Sequence, residues 1–365
     1  DGSQIITMDA GQLSSVAALA GRGLGQRRAA ASLDTGGVTA ALSVDLPAGL
    51  WLNLSARVLV SKGVFPPLEL RAGDLRISGW PARALVLAAR QVLVWRGLPL
   101  QPLDAMVRSF ATDNGILRVQ PGKGIGQTGL VSALIGLGGR QIDQARVTLI
   151  YCALASQQRA KPSNDLAVQV HRMIAATQAD SAQQAATDHA NGLVALALVV
   201  AGKSALSLTD KALSPLAGCP KPRVQVLLAG RIDLAKHWSV SAALAAAGGV
   251  RTGRLMGEWK ELADSMAGGS GFSFADLAAD RAGLRVGTAA VDPALALALR
   301  ADLRGRDNAG LLPPSVLKLA EGLSEQRFVA QYRDTESARF AAAVRVVDGL
   351  LARGKVPGAA LPAGQ

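Results

Sequence analysis

Aromatic side chains make up 4% of this 365-residue chain, with two tyrosines and six phenylalanines, and there are three histidines and two cysteines. So few large rings leave Ala, Leu, Val and Gly to build the core, a composition suited to closely packed helices. Cys152 and Cys219 form no C-x-x-C, which excludes a thioredoxin-type site and a zinc knuckle. They read equally as one disulfide of an oxidising compartment or as two buried thiols. No run of five Lys or Arg, zinc-finger spacing or aromatic-rich RNA-binding signature occurs, so no specific nucleic acid is expected as a partner. The longest apolar runs, such as 193–202, have about ten residues, against roughly twenty for a membrane-spanning helix. The portion reads as soluble. The start at Asp1, without a charged-then-apolar leader, reads as a mature or trimmed chain, so membrane association is expected only through a missing N-terminal segment. There is no Walker A sequence, no G-x-S-x-G elbow and no H-E-x-x-H.

What is present is positive charge and aliphatic periodicity. The net charge of +12 favours anionic partners. The fold class expected is α+β, an N-terminal antiparallel sheet with helices over 1–122 followed by a mostly α-helical domain over 123–365. After a helix near 9–19, Val38, Ala40, Leu42, Val44 and Leu46 alternate with polar residues. Leu52, Leu54, Ala56, Val58 and Val60 do the same, with further strands at Leu68–Leu70 and Leu75–Ile77. Helices are expected over 81–94 and 102–110, and a short strand over 116–120 returns to the sheet. Beyond residue 130 the period becomes helical, with segments expected at 129–137, 140–157, 163–178, 180–201, 233–248, 253–267, 274–288, 293–304, 314–322 and 335–353. A short strand is conceivable at 224–228.

Gly124-Ile-Gly-Gln-Thr-Gly129 fits G-x-G-x-x-G, but Val147–Tyr151 downstream carries no acid and no βαβ series surrounds it, so an interdomain turn is the better reading. His171 and His189 have no Cys or second His at metal spacing and read as core-edge or solvated residues.

The segment 230–287 concentrates polar residues on three expected helices. On the first, Asp233, His237 and Ser241 fall at i, i+4 and i+8 along one face. Asp233 can serve as an N-cap, whereas His237 has no capping role. The second carries Lys260, Glu261, Asp264 and Ser265, with Glu261 and Ser265 one turn apart. A Gly268–Gly271 turn containing Ser270 could bring backbone amides near a ligand. On the third, Ser273 and Asp276 form a capping-box variant, and Asp280 lies one turn further in.

Arg231–His237, Lys260–Ser265, Gly269–Asp276 and Ala279–Gly283 together resemble the YfiM-like periplasmic lipoproteins and, more distantly, VanZ-like membrane proteins. The likeness spans about 55 residues and implies an envelope, periplasmic location. It also implies a polar cluster at Asp233, His237, Lys260, Glu261, Asp264, Ser270, Asp276 and Asp280. No settled activity comes with it.

Two functions follow as expectations. In one, Glu261, His237 and Asp280 are catalytic. Glu261 is the general acid and Asp280 or His237 the base, cleaving glycan, with peptidoglycan as substrate; Asp233, Ser241, Lys260, Asp264, Ser265, Ser270, Gly271 and Asp276 support them. In the other, the cluster is a buried network inside a non-catalytic module that binds anionic envelope polymer or lipid headgroups. A metal held by His237, Glu261 and Asp280 is the weakest alternative, so no metal and no cofactor are expected.

Overall fold

The alternation over 38–60 is realised as paired strands whose apolar faces coincide. Strands β3 (Gly37–Leu46) and β4 (Leu50–Leu59) pair antiparallel, bringing Val38 opposite Val58, Ala40 opposite Ala56, Leu42 opposite Leu54 and Val44 opposite Leu52. A one-residue slip would move every one of these side chains to the other face, so the packing of Val38 and Val58 into the core sets the register. The computed structural model describes residues 5–11, 13, 14, 17, 28–46, 50–62, 65–95, 102–121, 142–177, 179, 181–202, 205, 216, 218–265, 271–333, 335 and 337–358. The chain divides into two compact units, 1–133 and 134–365.

In the first unit, β2 (Arg28–Asp34), β3, β4, β6 (Leu68–Ala72) and β7 (Leu75–Ser78) form a five-stranded antiparallel sheet in that order. β1 (Ile6–Asp9), β9 (Ile116–Pro121), β8 (Val107–Asp113) and β5 (Ser61–Lys62) form a second. Val38 of one sheet packs with Phe110 and Leu117 of the other, joined by Leu13, Leu33 and Val58. Helix α1 (Trp80–Trp95) follows β7, and α2 (Leu103–Met106) is a single turn.

The structure departs from the expectation at four places here. The strand at 116–121 joins a second sheet rather than the first. Asp9 ends a strand, although Ala10, Gly11, Leu13, Ser14 and Ala17 after it are helical. Helix 102–110 shrinks to one turn, because Val107–Asp113 pairs with β9 instead. That hairpin turns at Asn114-Gly115, both at positive φ (49° and 74°), the Asn-Gly pattern that matches the strand twist. The Ala-rich strand β2 has no strand-forming pattern of its own and exists through its pairing with β3.

The second unit is helical: α3 (Gln144–Ala160), α4 (Leu166–Ala176), α5 (Ala182–Ala201), α6 (Ile232–Ser265), α7 (Phe274–Ala290), α8 (Pro293–Leu303), α9 (Asn308–Leu311), α10 (Glu325–Tyr332) and α11 (Ala338–Arg353). Asp143, Asp165, Ser181, Ser273, Asp292 and Ser337 each accept a first-turn amide at a helix start, at about 1 kcal/mol each. The expected helices 233–248 and 253–267 are one, α6. Gly248-Gly249 lowers propensity by about 1 kcal/mol per residue but breaks no hydrogen-bond ladder, as a proline would. Residues 314–318 form a 3₁₀ turn, and 224–228 makes isolated bridges rather than a strand, Leu227 with Asp165 and Leu228 with Arg231. The expected helix 129–137 and the Gly124–Gly129 motif lie outside the described residues. Among the described residues no helix is long and apolar enough to cross a membrane.

Cys152 of α3 and Cys219 are disulfide-bonded across 67 residues of chain, which resolves the two open readings of the cysteines. Closing a loop of that length removes about 4 kcal/mol of unfolded-state entropy. Helix α5 is buried around most of its circumference, and His189 within it is 1% exposed. Its Nδ1 lies 3.3 Å from the Ala290 carbonyl, and Nε2 has no partner among the described residues. Burial, and secondarily Arg300, holds the His189 pKa below the ordinary value, against the Ala290 bond and Asp188. A depressed histidine leaves the unfolded chain binding the extra proton first. Stability is then complete above the unfolded value of about 6.5 and falls as pH drops towards the folded value. Denaturation midpoints between pH 7.5 and 5 are expected to fall in the wild type and to fall less in His189→Gln.

Candidate functional site

Helices α6 and α7 lie against each other because α7 presents Gly283 and Gly287 to α6. A β-carbon at Gly283 would stand 2.1 Å from the Trp238 carbonyl oxygen, and one at Gly287 would stand 2.2 Å from that of Ala242. The facing stretch of α6 is correspondingly thin, with Ala235, Ala242, Ala243, Ala245 and Ala246 all buried. Trp238 is fully buried beside them, its indole N–H without an acceptor among the described residues.

Into this seam the two helices project their polar residues. His237 Nδ1 lies 3.1 Å from both carboxylate oxygens of Asp280, and Ser241 Oγ donates to Asp280 Oδ1 at 2.6 Å. His237, Asp280 and Ser241 are 6%, 3% and 2% exposed. The i, i+4 spacing seen in the sequence puts His237 and Ser241 side by side on α6, and Asp280 bridges them from α7. On the other side of the ring, His237 Nε2 is 3.6 Å from Asp276 Oδ2. The two ring nitrogens of His237 thus face carboxyl groups from opposite sides, Nδ1 that of Asp280 and Nε2 that of Asp276.

The cluster continues towards the surface through Arg231. Its guanidinium pairs with Asp233 at 2.6 Å, with Glu321 at 2.6 Å and with Asp276 at 3.4 Å. The hydrogen bond from Arg231 leads the causes that lower the Asp233 pKa, and the same bond raises that of Arg231. Exposure falls steadily inwards, from Glu321 and Arg231 at about a third to the nearly sealed His237 and Asp280. Glu321 is placed by the Phe272–Leu323 backbone bridge. Phe272 stacks with Phe274, Phe328 and Phe340, so four of the six phenylalanines gather beside the entrance of the seam.

The structure therefore brings together His237, Ser241, Asp276 and Asp280, and ties Asp233 to them through Arg231. Two expected roles change. Asp233 lies inside the first turn of α6, where its carboxylate accepts the Leu234 amide at 2.9 Å as a capping side chain does and in addition pairs with Arg231. Ser273 does cap α7 by accepting from the Asp276 amide, but the Asp276 carboxylate reaches Arg231 and the His237 ring and so belongs to the cluster. Gly271, at φ 87°, passes against the Gly322 backbone, where a β-carbon would come within 2.6 Å. That contact is a backbone crossing. Glu261, Lys260, Asp264 and Ser265 share α6 with His237, so the three expected helices are two, and Glu261 stands 24 residues along the same helix from His237, roughly 36 Å at 1.5 Å per residue, instead of completing a site with His237 and Asp280. The side chains of Glu261, Lys260, Asp264 and Ser265, and Ser270 entirely, lie outside the described residues. Arg231 and Glu321 were not singled out in the sequence. Arg231 could have been recognised two residues before Asp233, whereas Glu321 had no sequence signal because a distant loop delivers it.

Chemically, the His237 ring can move a proton between the Asp280 side and the Asp276 side. Ser241 gives its only proton to Asp280, not to His237, so it is not arranged as an activated nucleophile. Among the described residues no group of three or more His, Cys, Asp or Glu is placed to hold a metal ion. On its opposite flank α7 sends the buried Arg281 to Asp348 of α11 at 2.6 Å, so neighbouring residues of one helix tie it in two directions. Compared with protein-family models, with curated proteins and with solved structures, the chain finds no match.

Proposed function

We propose that this protein is a non-catalytic binding module of the bacterial cell envelope, with the His237–Asp280–Ser241 network holding its helical unit together. The observation that carries this reading is the mutual pairing of these three side chains inside a seam closed by Gly283 and Gly287. A substrate would have to push α6 and α7 apart to reach them. The Cys152–Cys219 disulfide supports an oxidising compartment such as the periplasm, and the net charge of +12 supports anionic polymer or lipid headgroups as partners.

A second reading, glycan cleavage, draws on the inward line from Glu321 through Arg231 and Asp276 to His237. Such a line would let His237 and Asp276 pass a proton to a group bound at the outer end of the cluster; Glu261, 24 residues further along α6 and roughly 36 Å away at 1.5 Å per residue, takes no part in it. Isolated peptidoglycan separates the two. Neither the wild type nor Asp276→Asn is expected to release muropeptides. Release by the wild type that disappears in Asp276→Asn would overturn the binding reading in favour of the enzyme.

A further inference from the structure

A second polar constellation lies elsewhere in the helical unit. A cavity of about 490 Å³ opens between the end of α5, the start of α6, Tyr151 of α3 and the segment 221–225. Lys221, Arg223 and Lys236 all line it, and no carboxylate does among the described residues. All three cations are exposed, and none is ion-paired with any described residue. Lys236 sits next to His237 in sequence but points to the other side of α6, because neighbours along a helix stand about 100° apart. Val199 and Ile232 supply apolar wall.

The construction of the pocket holds the cations together. Cys219, two residues before Lys221, is bonded to Cys152, next to Tyr151. The disulfide thus pins the cationic segment to the helix that carries the tyrosine hydroxyl. The cavity falls within the size range of small-molecule sites, roughly 300–1,000 Å³, and is far larger than one inorganic phosphate ion. Three convergent donors with fixed positive charge suit a dianionic group. The apolar wall suits a substituent on that group.

We infer that this pocket binds an organic phosphate, its phosphoryl group between Lys221, Arg223 and Lys236 and its apolar substituent against Val199 and Ile232. This deepens the binding reading by giving it a ligand class. It uses none of the His237 cluster, so the peptidoglycan assay and the assay below can fail independently.

The test is titration of the full chain with phenyl phosphate and with inorganic phosphate by calorimetry, alongside co-sedimentation with phosphatidylglycerol vesicles. Phenyl phosphate is expected to bind more tightly than inorganic phosphate. Lys221→Ala with Arg223→Ala is expected to weaken it at least tenfold, Lys236→Glu likewise, and Lys236→Arg to retain it. Vesicle binding lost in the same variants, with or without phenyl phosphate binding, also supports the inference and makes the phosphate a lipid headgroup. Binding of neither probe overturns it, as does binding unchanged by the neutralising variants. The three cations would then only complement the carbonyl end of α5. Thermal melts of the variants, expected within about 2 °C of wild type, exclude unfolding as the cause.

Discussion

Asp280→Ala is expected to destabilise the helical unit by about 3–5 kcal/mol, the cost of leaving two buried donors without their shared acceptor. The substitution removes the acceptor of both His237 Nδ1 and Ser241 Oγ at once. Both donors are sealed from water, so neither recovers a hydrogen bond cheaply. For a unit of this size the melting temperature should drop by roughly 10 °C. Ser241→Ala deletes one donor and leaves the His237–Asp280 bond in place, so it should cost only about 1 kcal/mol. A chemical-denaturation series reads both. An Asp280→Ala variant as stable as wild type would remove the structural role assigned to the cluster.

Gly283→Ala is expected to destabilise by about 3 kcal/mol or more, against the sign that helix propensity alone would give. The added methyl would meet the Trp238 carbonyl oxygen at 2.1 Å, and the clash is with backbone, which no rotamer change relieves. The helices must separate, and separation stretches the His237–Asp280 bond they share. Gly287→Ala, at 2.2 Å from the Ala242 oxygen, should behave alike. Gly349 of α11 is the control, because a β-carbon there meets only the Arg353 guanidinium at 3.4 Å. Gly349→Ala should be neutral or stabilising by up to about 1 kcal/mol. Denaturation midpoints of the three variants check the contrast, and equal effects at all three would contradict a close helix seam.

What could be read from the sequence was whatever is encoded by local period or local hydrogen bonding. The alternating faces of β3 and β4 were legible because their apolar residues recur at every second position and pair with each other across the strands, with the Val38 and Val58 end packed into the core. The Ser273 cap was legible because it acts over three residues. His237, Ser241 and Asp280 were legible as unusual polar residues among alanines, the first two by i, i+4 spacing. Non-local features were not. Strand β2 is an alanine run whose conformation is decided by its neighbour. Asp276 passed for a capping residue because its distant partner, Arg231, lies 45 positions away in sequence. Glu321 arrives on a loop held by phenylalanine packing, and the Cys152–Cys219 bond depends on a fold that spacing alone does not specify. The β8–β9 hairpin is the opposite case, since Asn114-Gly115 announced it and the helical reading of 102–110 passed over it.

The coupling between His237 and Asp280 is what joins the seam, the burial and the non-catalytic reading. A double-mutant cycle with His237→Ala, Asp280→Ala and the double variant, followed by chemical denaturation, isolates it. The double variant should be more stable than the sum of the single losses implies, by about 1.5–3 kcal/mol, because the second truncation removes a partner the first has already orphaned. Losses that add to within about 0.5 kcal/mol would show that the pair is not holding α6 to α7.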